Sequence, residues 1–138
     1  MGAGVAGREP PQSRVLSAGP RTSREARSFL REALGKRHPP DQRQVALLLT
    51  SELASNAARH GSEAVGSPIE VTAEAEGEQL RVTVHDQGSG FDPLKVIEGT
   101  GSGGLRLVDR LSSTWGVERT EKGTDVWFEV HSEVDEGA

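Results

Sequence analysis

The sequence predicts an α+β domain. Three segments space their apolar residues at helical intervals. Two further stretches alternate apolar and polar residues on either side of a glycine-bearing turn, as antiparallel hairpins do. At 138 residues the chain has the length of one domain with a single modest core.

Taken in order, residues 1–13 are small, polar and proline-containing, and read as a disordered arm. Arg14 to Ser17 reads as a short edge strand. Thr22-Ser23-Arg24-Glu25 has the form of a capping box. Ala26, Phe29, Leu30, Ala33 and Leu34 follow at helical spacing, and Gly35 is a natural stop, so a first helix is expected over 23–34. Pro39-Pro40 blocks further helix. Asp41 starts a second one, with Gln44 as capping partner. Its apolar stripe is Val45, Leu48, Leu49, Leu53 and Ala57, ending near Gly61. After a loop over 62–68, Ile69, Val71, Ala73 and Ala75 alternate. Gly77 turns the chain, and Leu80, Val82 and Val84 alternate again. Residues 87–104 form a long glycine-rich connection, a length that in a compact domain signals function or disorder. Leu105, Val108 and Leu111 begin a third helix that runs to about Ser113. Trp115–Arg119 and Asp125–His131 form a last hairpin around Glu121-Lys122-Gly123. Val126, Phe128 and Val130 face one way, and Asp125, Trp127 and Glu129 the other. Residues 132–138 read as a frayed acidic tail. The domain proper is thus expected over 14–131.

Bulk properties narrow the function. The formal charge is −5, from 16 basic and 21 acidic residues, which argues against a nucleic-acid binder. Without cysteine there is no disulfide framework and no thiolate metal site. No apolar run approaches the roughly 18 residues of a membrane span, and the N-terminus lacks the apolar core of a signal peptide. Nothing points outside the cell, and the expected location is cytoplasmic. Of the 17 glycines, seven fall in three boxes.

The first box is SELASNAARHG, 51–61. Glu52 and Asn56 are four apart on the second helix and share a face that continues the apolar stripe. Polar groups on a core-facing stripe are costly without partners, and a bound ion or ligand supplies them. Amide and carboxylate oxygens suit Mg²⁺. The plainer alternative is a pair at the solvent edge of a helix end. His60, beside Gly61, suits the helix C-terminal dipole and receives no chemistry. The second box is HDQGSGF, 85–91. Asp86 continues the inward face of Leu80, Val82 and Val84, and an inward carboxylate needs donors, such as the exocyclic amine of adenine. Gly88 and Gly90 allow close backbone approach to a flat base or positive φ. An ordinary Asp-Gln-Gly turn is the alternative. The third box is GTGSGGLRLV, 99–108. Gly99, Gly101, Gly103 and Gly104 precede a helix, where free N–H groups and the dipole favour phosphate. It is neither a Walker A loop nor a dinucleotide fingerprint. A plain linker is the alternative here. Lys95 and Arg106 have the charge and reach for a phosphate, with plain solvation as their alternative. Each box alone is weak; each supplies a different part of a Mg·ATP site, and together they read as one.

Together the boxes resemble the GHKL (Bergerat-fold) ATPase superfamily. Glu52 to Gly61 resembles its N box, Asp86 to Phe91 its first glycine box, Gly101 to Val108 its second, and Gly123-Thr124 its terminal Gly-Thr. The ELxxNAxxHG form, the small size and the pair Trp115-Gly116-Val117 and Val126-Trp127-Phe128 are most similar to anti-sigma factor serine/threonine kinases. The resemblance spans roughly 14–131. It implies a two-layer α/β sandwich, a mixed, mostly antiparallel sheet with helices packed on one face. It implies ATP and Mg²⁺ as cofactors. Glu52 becomes the catalytic base and Asn56 the Mg²⁺ ligand. Asp86 accepts from adenine with Thr124 in support. Gly88 and Gly90 shape the base pocket, and Gly101, Gly103 and Gly104 form the phosphate side of the lid. Two departures stand out. Aligned on Gly104-Leu105, the usual first glycine of Gly-x-Gly-Leu falls on Ser102, and the segment between Phe91 and Gly101 is short.

The function so implied is transfer of the ATP γ-phosphate to a serine or threonine of a small STAS-type anti-sigma antagonist. Sequestration of a sigma factor goes with it, so that phosphorylation switches partners; a homodimer is a further implication. Glu52 favours this enzyme, since ATP binding alone needs no base there. The altered second glycine box favours the alternative, a nucleotide-dependent binding regulator without transfer. A self-contained histidine kinase is disfavoured because no phosphoacceptor helix pair precedes residue 22.

Overall fold

The computed structural model describes residues 10–35, 38–61, 66–88 and 104–131. Among the described residues five strands form one open sheet: β1 (Gln12–Ser17), β2 (Pro68–Glu76), β3 (Gln79–Asp86), β4 (Thr114–Thr120) and β5 (Gly123–His131), in the order β1-β2-β3-β5-β4. Every pairing is antiparallel, so among the described residues the sheet is not mixed. Among the described residues three helices, α1 (Thr22–Leu34), α2 (Pro40–Asn56) and α3 (Gly104–Leu111), pack on one face. A single π turn, Ala57–Gly61, continues α2. Among the described residues no helix is long and apolar enough to cross a membrane.

Alternation decides which face is covered. Ile69, Val71, Ala73, Leu80, Val82, Val84, Val126, Phe128 and Val130 point inward and are buried, in one core with Phe29, Leu30, Ala46, Leu49, Leu53 and Val108 from the helices. Both hairpins have the expected faces. The strands reach one or two residues further than their apolar alternation, because backbone ladders continue past the last buried side chain.

β1 also starts earlier than expected, at Gln12 rather than Arg14. Its inward positions are Gln12, Arg14 and Leu16, of which only Leu16 is buried. The other two act through their polar ends. Gln12 donates to the Ala33 carbonyl. The Arg14 guanidinium lies 5.3 Å from the centroid of the Phe29 ring and pairs with Glu32 at 3.3 Å. A polar strand is therefore clasped to α1.

The capping box at the start of α1 does not form. Thr22 is the first helical residue, and no side chain caps the helix. The Thr22 hydroxyl turns back instead. It accepts from Gly19 N–H at 2.8 Å and lies within 2.9 Å of the Ser17 and Gly19 carbonyls. Gly35 ends the helix as expected, at φ 57°, with its N–H on the Arg31 carbonyl.

The stripe of α2 also differs. Ala46, Leu49 and Leu53 are buried, whereas Leu48 is 41% exposed. The cause is Gln42, a polar residue that the apolar pattern passes over. It is 2% exposed, and its amide donates to the carbonyls of Glu78 at 2.9 Å and Val130 at 2.8 Å. His38 Nδ1 meets its oxygen at 2.9 Å. With Gln42 fixed on the sheet, steps of about 100° put positions 46, 49 and 53 over the core and Leu48 about 120° away.

The uncovered face of the sheet carries Trp127, with the Arg81 guanidinium 4.0 Å from the ring centroid. Gly116 on the neighbouring strand makes room for the indole, since a Cβ there would meet it at 2.6 Å.

Candidate functional site

The anchor at Gln42 sets the direction of α2. Its first turn sits over the end of the sheet where Gln79 pairs with His131. Seventeen helical residues run about 25 Å, close to the length of the eight-residue β3. The last turn of α2 therefore arrives at the opposite end of β3, where Asp86 pairs with Ile69 on one side and Thr124 on the other. The π turn packs against β3. Asn56, Asp86 and Thr124 all belong to this end, and all are at most 2% exposed. Buried polar side chains need hydrogen-bond partners, and each of the three has one within the chain.

Each position follows from local structure. Asp86 is the fourth inward residue of β3, after Leu80, Val82 and Val84, as its spacing predicts. Its Oδ1 accepts from Gly88 N–H at 2.9 Å. The Thr124 hydroxyl donates to the Gly88 carbonyl at 3.3 Å. Gly88 is thus held from both sides by neighbouring strands. Burial pushes the Asp86 carboxyl above its ordinary value of 3.8. The Gly88 N–H and the charge of His85 pull the other way, while Asp125 adds to the rise. His85 and Asp125, both partly buried and bonded at 2.6 Å, sit on the opposite face of the strands.

Gly123 has a role that spacing alone does not reveal. Its φ is 135°, and a Cβ there would stand 1.9 Å from the Asp86 carbonyl oxygen. Only glycine lets β5 close onto β3 at the residue that carries the acid.

Asn56 lies about 40° around the helix from Gln42 and is buried, whereas Glu52, one turn earlier, is half-buried at the flank. The two share a face, as expected. Arg59, on the π turn, donates to Asn56 Oδ1 at 3.2 Å. Nothing in the box spacing singles out Arg59, although a cation three residues after a buried amide on a helix was the available signal. Gly104 opens α3, and Arg106 on that helix is exposed. Gly90, Lys95, Gly99, Gly101, Ser102 and Gly103 lie outside the described residues, as does the side chain of His60. Among the described residues no group of three or more His, Asp or Glu could hold a metal ion.

Comparisons with known proteins identify the family and bear on the fold. A model of the histidine kinase-like ATPase domain matches residues 16–130. The fold is similar to the crystal structure of the RsbU and RsbW domains of Rv1364c from Mycobacterium tuberculosis, with TM-score 0.68 and 24% identity over 90% of this chain. This chain spans about a third of that one, 33%. It is also similar to the histidine kinase domain of the Erythrobacter litoralis EL346 blue-light activated histidine kinase, with TM-score 0.55 and 22% identity over 80% of this chain and 59% of that one. No curated protein matches the chain. With a family model covering nearly all of the described sheet and helices, and the acid, amide and Gly-Thr pair gathered at one end of the sheet, the chain belongs to the histidine kinase-like ATPase domain family.

Proposed function

We propose that residues 14–131 form a Mg·ATP-binding kinase domain of the anti-sigma type. It transfers the γ-phosphate to a serine or threonine of a small STAS-type antagonist and sequesters a sigma factor when the antagonist is phosphorylated. The observation that carries this reading is the meeting of buried Asp86 and Thr124 with Asn56 at one end of the sheet, with Glu52 one turn behind. Similarity to the RsbU and RsbW domains of Rv1364c supports the anti-sigma assignment.

In this reading Asp86 accepts from the adenine amine, and Thr124, through Gly88, keeps the backbone beside it in place. Gly88 and Gly90 line the base, and Gly101, Gly103 and Gly104 face the phosphates. Asn56 holds Mg²⁺. The donor set fits such an ion, because one buried amide oxygen suits a Mg²⁺ that takes its other ligands from water and substrate phosphates. Bound Mg²⁺ neutralises phosphate charge during transfer. Glu52, half-buried beside Asn56, takes the proton of the incoming hydroxyl. A binding regulator without transfer is the second reading, favoured by Ser102 where the family places a glycine.

Thermal unfolding with Mg·ATP, Mg·ADP and Mg·GTP tests the site. A nucleotide at about 100 times its dissociation constant adds roughly 2.7 kcal/mol, a shift of several degrees. Stabilisation by adenine nucleotides but not by GTP is expected, and no shift with any of them would sink the proposal. Glu52→Ala then separates the two readings. It keeps the shift and loses phosphorylation of an antagonist if the chain is a kinase, whereas retained phosphorylation removes Glu52 as the base.

A further inference from the structure

The start of β4 sets the direction of α3. Ser112 and Ser113 link the two elements, and β5 pins the link. The Ser113 N–H donates to the Glu129 carbonyl at 2.7 Å, and the His131 N–H donates to Ser113 Oγ at 3.1 Å. Glu129 and His131 lie toward the end of the sheet where Gln79 pairs with His131, away from Asp86 and Thr124. After the link, Trp115 pairs with Phe128 and packs against the core under the helices. Its indole Nε1–H donates to Asp109 Oδ1 at 2.8 Å. Asp109 precedes the link and Trp115 follows it, so the chain doubles back and α3 runs antiparallel over β4. The helix from Gly104 to Leu111 covers about 12 Å, and the stretch of β5 from Glu129 back to Thr124 about 17 Å. The first turn of α3 is therefore carried beside α2 toward the end of the sheet that holds Asp86 and Thr124.

Val108 is buried in the core and Leu107 packs against it, whereas Arg106, Asp109, Arg110 and Leu111 are exposed. A single buried residue fixes the depth of so short a helix but leaves its tilt and rotation about that point free. The Asp109–Trp115 bond supplies a second point. In the proposed function the start of α3 faces the phosphates, and the inference rests on that reading. We propose that Asp109 and Trp115 are positioning residues for phosphate recognition. Their hydrogen bond aims the first turn of α3 at the phosphates of the bound nucleotide, and both act through the helix. Charge cannot be the means. A carboxylate repels phosphate, so whatever Asp109 contributes to affinity comes through geometry.

The test compares a non-hydrolysable ATP analogue, titrated with Mg²⁺ by calorimetry, with adenosine, measured by displacement of the analogue. The proteins are the wild type, Asp109→Ala, Asp109→Asn, Trp115→Phe and the double variant Asp109→Ala with Trp115→Phe. Asp109→Ala and Trp115→Phe should each bind the analogue about fivefold more weakly, as expected of one lost hydrogen bond, with adenosine affinity unchanged. Asp109→Asn keeps an acceptor oxygen and should stay near the wild type. The double variant should lose no more than either single one, because both remove the same bond. The Trp115 indole N–H resonance gives a readout without nucleotide, and it should move in Asp109→Ala. An unmoved resonance, an unchanged analogue affinity in both single variants, or an equal loss for analogue and adenosine overturns the inference. The wild type keeps the two levels apart. If it binds the analogue more tightly than adenosine while the variants do nothing, only the positioning role falls. If it binds neither, or both alike, the phosphate-facing reading of α3 falls and takes the positioning role with it.

Discussion

Asp86 carries a conflict that its surroundings only partly relieve. It is 1% exposed, and burial outweighs the Gly88 N–H and the charge of His85, so its pKa is raised. An acid with a raised pKa in the fold binds its proton more tightly folded than unfolded, so its ionisation costs stability. The cost is absent below about the ordinary 3.8, where both states are protonated. It grows as pH rises through the raised value and is constant beyond. Asp86→Asn keeps an oxygen to accept from Gly88 and removes the charge. The nucleotide-free variant should therefore be more stable than the wild type at neutral pH, with an advantage that shrinks to nothing as pH falls below the carboxylate range. Melting temperatures of the two proteins from pH 3 to pH 8 check this, and a pH-independent difference would contradict it. The same substitution should weaken the preference for adenine over guanine nucleotides, the trade of function for stability expected at a binding site. This residue was legible in the sequence because strand alternation fixes the face of every second position. Arg59 was not, because a surface cation acquires meaning only when its partner is known.

Among the elements, the legible ones were those whose apolar residues do the positioning. The hairpins β2–β3 and β4–β5 and the helix α1 follow from Ile69, Val82, Phe128, Leu30 and their neighbours. The poorly legible ones are positioned by polar atoms. Gln42 sets the rotation of α2, and Gln12 and Arg14 hold β1, which hydrophobic patterning does not count. A backbone approach is equally silent in sequence, and the join of β5 to β3 depends on one. Gly123→Ala must relieve a 1.9 Å contact with the Asp86 carbonyl and a φ of 135°. Strain of this kind costs about 1–3 kcal/mol before the contact itself is counted. The expected loss is at least about 2 kcal/mol, or roughly 8 °C for a chain of this size. Because the shift falls on Asp86, nucleotide affinity should drop as well. Denaturant unfolding and ADP titration measure the two effects, and a variant as stable as the wild type would mean that the β4–β5 turn does not constrain the acid.

At the scale of the whole molecule, sheet and helices divide the labour. The uncovered face is acidic, with Glu70, Glu74, Glu118, Asp125 and Glu129 around Trp127 and Arg81. The site lies at one end of the covered layer, where helix and strands each bring one or two polar groups. This arrangement predicts how Mg²⁺ acts on the protein. One amide oxygen, with no group of three or more His, Asp or Glu among the described residues, is too little to dehydrate an ion that gives up water reluctantly. Mg²⁺ should therefore bind with the nucleotide and not before it. Millimolar MgCl₂ alone should move the melting temperature no more than NaCl of the same ionic strength, since both only screen a chain of net charge −5. With ADP present, Mg²⁺ should raise the melting temperature by several degrees over ADP in EDTA. Asn56→Ala should remove that second effect and leave the first unchanged. A specific Mg²⁺ shift without nucleotide would point instead to a preformed metal site, and the end of the sheet would then have to be reassigned.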